Sequence, residues 1–323
     1  MPSHVQIPGA GLIKDTWLVK MQMPPGMEKE EIRIPVGGRM MRMLILRRAA
    51  GACEDAARGA EADSSRTAGA PGVLWLHGGG YLLGMPEMAY MSRAADLVMK
   101  GRAVVVSPEY TLSLRAPYPA ALRDCHAALV YMRDHAAELG IRDDQIMVGG
   151  ESAGGGLTAA LCMYAKDHRT VNIAYQMPIY PMLDCFDTPS SANNHGKVWN
   201  TRRNHIAWRI YLRSLRRKKS VPSWASPSRR RDYSGLPPCY TFVGDIDAFR
   251  DETLAYARAL DRAGVPVRID VWEGFYHACD MKEPERADVQ EAAAIFLSEF
   301  EAACRTYHAP QEAYRKKSAR EEA

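Results

Sequence analysis

From residue 73 onward, short unbroken apolar runs alternate with longer amphipathic stretches. VLWLH (73–77) precedes a helical pattern near 86–100, AVVVSP (103–108) one near 118–138, and QIMVGG (145–150) one that starts at 152. NIAYQMPIY (172–180) is the next apolar run, and after an interruption CYTFVG (239–244), a helix over 250–263, VRIDVW (267–272) and a helix near 286–304 restore the rhythm. Continuous apolar strands separated by helices predict a mostly parallel sheet with helices on both faces. EIRIPV and RMMRMLILRR, split by Gly37 and Gly38, predict a hairpin at one edge of that sheet.

Two stretches depart from the pattern. Residues 49–72 are small and polar, too poor in large apolar side chains to bury, and predict a long exposed loop. Between Phe186 and Pro238, Trp208, Tyr211, Leu212 and Leu215 recur at helical spacing on a basic background. Inserted after a strand, this segment predicts a cap over the strand ends. The expected organisation is one domain over 1–310, with cap parts near 1–30 and 186–235, and a charged tail from 311 to 323.

Composition adds exclusions more than functions. The net charge is +4, but Thr201–Arg231 holds eleven Arg and Lys and no acid, so the rest of the chain is net acidic. A solvated basic face accounts for that excess without a nucleic acid or a lasting membrane contact. Membrane spans need about 18 uninterrupted apolar residues, and none occurs. Met1–Lys20 lacks the basic, apolar and small-residue series of a signal peptide, and the seven cysteines show no CxxC spacing. These features predict a soluble, cytoplasmic protein with reduced thiols, no metal and no cofactor. A homodimer stays open.

Chemistry concentrates where the apolar runs end. QIMVGG leads into Gly150-Glu151-Ser152-Ala153-Gly154 and then a helix, the strand–turn–helix setting in which GxSxG presents an exposed serine hydroxyl. VLWLH ends in His77-Gly78-Gly79-Gly80, whose amides no side chain covers, so that with the amide of Ala153 they can face a carbonyl oxygen that turns negative. A serine nucleophile needs a base. His277, in a loop directly after VRIDVW, fits the chain order serine, acid, histidine, which His195 and His205 in the insertion do not. His77 is read as bracing its own loop, and His126, His135 and His168 as ordinary helix-associated residues. For the acid, Asp245 and Asp247 share one loop and spacing does not separate them, whereas Asp251 and Glu252 suit the first turn of the next helix.

HGGG, GESAGG, DAFRDE, YARAL, AGVPV and GFYHACD together resemble the bacterial hormone-sensitive-lipase-type esterases of the α/β-hydrolase fold, over residues 70–300. The resemblance implies that Asp247 completes the triad, that Gly79, Gly80 and Ala153 donate to the oxyanion, and that short-chain carboxylic esters are hydrolysed without a metal. A small-molecule ester is then the partner. An amide or formamide leaving group, or a non-catalytic receptor on the same fold, are the rival readings. Three departures stand out: EYTLSLR precedes PYPAAL without the usual arginine, Ala278 and Cys279 follow the histidine, and Glu151 replaces aspartate. The Glu151 carboxylate is expected to meet a structural cation.

Overall fold

The computed structural model describes residues 21–50, 69–218 and 220–311. Most of the expected polar loop, the first twenty residues of the expected cap and the tail from 312 lie outside the described residues. The described chain forms an eight-stranded sheet in the order β1-β2-β4-β3-β5-β6-β7-β8. Its strands are β1 (Met27–Val36), β2 (Arg39–Arg48), β3 (Ala70–Leu76), β4 (Val104–Pro108), β5 (Ile141–Glu151), β6 (Tyr175–Ile179), β7 (Cys239–Gly244) and β8 (Val267–Trp272). β1 and β2 pair antiparallel, β2 pairs antiparallel with β4, and every later pairing is parallel.

The β1–β2 turn shows why Gly37 and Gly38 stand where they do. Both adopt positive φ, +55° and +78°, which a tight hairpin turn demands and L side chains resist. β1 starts four residues before the apolar pattern begins, at Met27, because its register with β2 runs back to Arg48. Residues 27–30 therefore belong to the sheet and not to the cap. Between β3 and β4, the helical pattern divides into a 3-10 turn, Pro86–Met91, and the helix α1 (Arg93–Met99). Ser92 separates the two by accepting a hydrogen bond from the Ala94 amide, 3.1 Å, as an N-cap.

Side chains of the central strands alternate between two cores. Leu74, Leu76, Ile146 and Val148 face α2 (Ala120–Asp134) and α3 (Ala153–His168). Val73, Trp75 and Met147 point the other way, with α1 and the long helix near the carboxyl end. The insertion adds α4 (Pro189–Ala192) and α5 (Thr201–Tyr211); α6 (Arg250–Arg262) joins β7 to β8, and α7 (Cys279–Lys282) and α8 (Ala287–Thr306) follow β8. β8 differs from the reading of VRIDVW as one more fully covered strand: it ends the sheet, and Val271 is 48% exposed. No helix among the described residues is long and apolar enough to cross a membrane.

The parallel strands end together, so the loops after Leu76, Glu151, Ile179, Gly244 and Trp272 share one edge of the sheet. Crevices along such carboxyl ends are where open α/β sheets gather reactive groups.

Packing behind this edge can be tested at Phe296, fully buried, with its ring 6.1 Å from that of Trp75 at 83°. Phe296→Ala should lower the unfolding free energy by about 3–5 kcal/mol, as measured by urea titration. A loss below about 1 kcal/mol would contradict a close-packed contact there.

Candidate active site

Ser152 sits between β5 and α3 with φ +58° and ψ −119°, a region a serine enters only when its surroundings hold it. They do so from both sides. Its amide donates to the Ile179 carbonyl at 3.0 Å, and its carbonyl accepts from the Met182 and Gly156 amides, each at 2.9 Å. Gly154 lies so close to the end of β3 that a Cβ there would run into the carbonyls of Leu76 and His77, and one on Gly150 would meet the Leu76 carbonyl. The glycines of GxSxG are thus required by strand-to-strand approach as well as by the turn.

The Ser152 Oγ is 2.8 Å from His277 Nε2. On its other side, His277 Nδ1 is 2.9 and 3.1 Å from the two carboxylate oxygens of Asp247. All three are buried. A proton on Nδ1 can donate to Asp247, which leaves Nε2 as the acceptor for the serine hydroxyl. Asp247 Oδ1 also accepts the Phe249 amide at 2.8 Å. Phe249 and Tyr180 set their rings edge-on to the imidazole, at 4.9 and 5.1 Å.

Asp245, two residues away, turns elsewhere: its Oδ1 accepts the Gly274 amide at 2.7 Å, bracing the loop that carries His277. Asp251 accepts the Ser190 amide and ties the insertion to α6, while buried Glu252 accepts the amides of Leu183 and Asp184 and ties the loop after β6 to the same helix. His195 and His205 stay in the insertion, where His205 pairs with Asp187 at 2.8 Å.

The glycine loop packs directly on the serine turn. A Cβ on Gly78 would stand 3.3 Å from the Ser152 Cβ, and Gly79 and Gly80 adopt φ +112° and +61°. The Gly79 carbonyl is committed to Leu82 and Leu83 amides, at 3.1 and 3.0 Å. His77 fixes the start of the loop through the Gly78 carbonyl, 2.7 Å from its Nδ1, and stacks on Tyr110, 4.1 Å away. Burial lowers the His77 pKa to about 4, so this imidazole is neutral at ordinary pH. Ala153 opens α3, and its amide belongs to the first-turn donors that have no acceptor within the helix.

A cavity of about 20 Å³ lies beside Ser152 and His277, lined by Gly79, Gly80, Met88, Val198, Trp199 and Met281 among others. Trp208 and Tyr211 do not line it. They pack against Tyr81, with Tyr211 stacked at 4.0 Å, and so anchor the insertion. Trp199 faces the site instead, a residue that helical spacing does not single out because it precedes α5. The signal available was an aromatic residue just before an N-cap, Asn200, whose side chain accepts the Arg203 amide at 3.0 Å. A larger open depression, about 1090 Å³, lies by the end of α3 and the start of β6. That is the far end of the sheet, away from Ser152.

Residues 73–281 match a family described as alpha/beta hydrolase fold. The chain belongs to that family, in its hormone-sensitive-lipase-type branch. It is 32% identical over 202 residues to the esterase LipI of Mycobacterium tuberculosis, a match that covers 62% of this chain and 62% of the relative. It is also 33% identical over 204 residues to the carboxylesterase NlhH of the same species, covering 62% and 63%. The match thus spans about three-fifths of these curated relatives. Among solved structures, one described as a bacterial heroin esterase superposes with a TM-score of 0.78 at 29% identity, covering 93% of this chain and 89% of the other. The esterase LipW from Mycobacterium marinum gives 0.76 at 28%, covering 86% and 82%.

Behind the Ser152 turn of this hydrolase fold, Glu151 accepts the Trp75 indole N–H at 3.0 Å. Among the described residues no cation pairs with Glu151: Arg93 pairs with Asp96 at 3.0 Å and approaches Asp280 at 3.5 Å. Burial, reinforced by the charge of Asp280, raises the Glu151 pKa to about 8. The folded protein therefore holds a proton that the unfolded chain, titrating near 4.5, releases. Between these values stability falls as pH rises. Glu151→Gln keeps an acceptor for Trp75 without the ionisation. It should remove this slope, so that relative to the unsubstituted protein it gains on the order of a few kcal/mol between pH 5 and pH 8 in chemical denaturation. Equal slopes in both proteins would mean that Glu151 ionises freely.

Proposed function

We propose that the chain is a serine carboxylesterase that hydrolyses short-chain acyl esters through an acyl-enzyme. The observation that carries this reading is the continuous contact Ser152 Oγ, His277 Nε2, His277 Nδ1, Asp247, at 2.8 and 2.9 Å. The names esterase and carboxylesterase borne by its relatives support the same leaving group. A non-catalytic receptor would have no use for an intact proton path.

In this mechanism His277 takes the Ser152 proton as Oγ bonds to the ester carbonyl carbon, and Asp247 holds the imidazole tautomer and stabilises its charged form. The carbonyl oxygen becomes an oxyanion and accepts hydrogen bonds from the amides of Gly79, Gly80 and Ala153, each contributing on the order of 3 kcal/mol in comparable sites. Collapse breaks the carbon–oxygen bond to the alcohol, which leaves with the proton from His277. A water then loses a proton to His277 and attacks the acyl carbon. The second collapse returns that proton to Ser152 Oγ and frees the carboxylic acid. No step calls on a cofactor.

Ser152→Ala should abolish hydrolysis of p-nitrophenyl butyrate and leave the melting temperature nearly unchanged. Activity close to that of the unsubstituted enzyme would refute the nucleophile. Asp247→Asn should lower kcat by about ten-thousandfold, because the amide favours the wrong imidazole tautomer. Asp245→Asn, which touches only the Gly274 amide, should lose far less. The reverse ranking would move the acid to Asp245.

Acyl length gives a separate check. Across p-nitrophenyl acetate, butyrate, octanoate and palmitate, kcat/KM should peak at butyrate or shorter. A maximum at palmitate, with a rate jump as micelles form, would indicate a lipase.

A further inference from the structure

We infer that Trp199 sets the acyl-length limit of this site, an inference that rests on the esterase reading above. The cavity at Ser152 holds about 20 Å³, room for roughly one water, so any acyl group longer than the shortest must displace part of its wall.

Most of that wall is built into the sheet edge. Leu83 and Met88 are buried in the loop and turn after β3, and Tyr180 is fully buried with its hydroxyl donating to Asp280 at 2.8 Å. Val198 and Trp199 come from the insertion instead. The outer edge of the indole abuts the glycine loop: a Cβ on Gly80 would stand 3.0 Å from its Cζ3. On its other side the ring centroid is 6.1 Å from those of His277 and Phe249. Trp199 therefore fills the space between the oxyanion loop and the base.

Its position is set by the start of α5. The indole N–H reaches Asn204 Oδ1 at 3.4 Å, and Asn204 is buried in the first turn. Arg203 donates to the Val198 carbonyl at 2.7 Å and so holds the backbone just ahead of the ring. The indole is 5% exposed and rigidly seated, the condition under which a wall excludes by size and does not simply swing aside.

The narrow space takes the acyl side of the ester. The alcohol must depart after the first collapse, whereas the acyl group stays bonded to Ser152 Oγ until water arrives, so a confined pocket beside the nucleophile suits the group that stays. Trp199 is a specificity-determining residue here and takes no part in proton transfer.

The test compares kcat/KM for p-nitrophenyl acetate and octanoate in the unsubstituted enzyme, Trp199→Phe and Trp199→Ala, with a melting curve for each. The octanoate-to-acetate ratio should rise at least about tenfold in Trp199→Ala, since steric discrimination in apolar pockets is worth roughly 10- to 200-fold, and by less in Trp199→Phe. Should Trp199→Ala melt below the assay temperature, Trp199→Phe carries the comparison, and an unchanged ratio there counts against the inference. A second pair, ethyl acetate and octyl acetate, varies the alcohol. If that ratio moved while the acyl ratio did not, Trp199 would line the alcohol side and the inference would be wrong. Failure of the esterase reading looks different: the unsubstituted enzyme would turn over none of these esters. Failure of the Trp199 inference is an unchanged ratio between two esters that are both hydrolysed.

Discussion

The backbone of Ser152 must be held at φ +58°, and most of the site follows from how that is done. Strain of this kind costs about 1–3 kcal/mol and persists only where neighbouring structure over-determines it. Here three backbone hydrogen bonds, to Ile179, Met182 and Gly156, tie the turn to the loop after β6 and to the first turn of α3. The absence of a Cβ at Gly150 and Gly154 lets β3 come close enough for the HGGG loop to lie on the serine. The same approach that permits the elbow therefore also lays the glycine loop beside it, where a Cβ on Gly78 would stand 3.3 Å from the Ser152 Cβ. The serine turn and the glycine loop are one packing solution, not two sites that happen to be adjacent.

The remaining partners come from loops more than ninety residues further along the chain, and parallel topology brings them in. β7 and β8 add to the sheet in the same direction as β5, so their carboxyl ends reach the same edge. Burial then makes the contacts specific. A carboxylate as buried as Asp247 is tolerable only when its oxygens are satisfied, and the Phe249 amide and His277 supply those bonds. The Phe249 and Tyr180 rings leave the imidazole little freedom to turn.

What the sequence could disclose follows the range of the forces involved. The elbow was legible because its causes are local: an apolar strand, two glycines about a serine, and a helix. The order of strands and helices was legible from apolar periodicity, apart from details set by neighbours, such as the edge position of β8. Asp245 and Asp247 were not separable by spacing. They differ only in which way their side chains leave one short turn, toward the Gly274 amide or toward His277. Family resemblance favoured Asp247, and the geometry puts that carboxylate on the imidazole. Trp199 was invisible for a related reason. Its importance comes from the insertion folding back onto Gly80, a contact between positions more than a hundred residues apart that no local pattern encodes. The helical stripe of Trp208 and Tyr211 was the more conspicuous signal, and it serves to attach the insertion at Tyr81.

Glu151, the residue before Ser152, is a buried carboxyl that its surroundings keep neutral. In the esterase mechanism proposed above, an ionised carboxylate on the residue before Ser152 would oppose the negative charge that develops on the carbonyl oxygen, in surroundings where water screens little. Burial removes the difficulty by favouring the neutral acid, as the upward shift to about 8 reflects. Asp280 adds to that pressure; burial raises its own pKa as well, against the opposing effects of Arg93 and the Tyr180 hydroxyl. In the mechanism proposed above, a neutral Glu151 leaves the glycine-loop amides and the first turn of α3 to act on the developing negative charge without an opposing carboxylate.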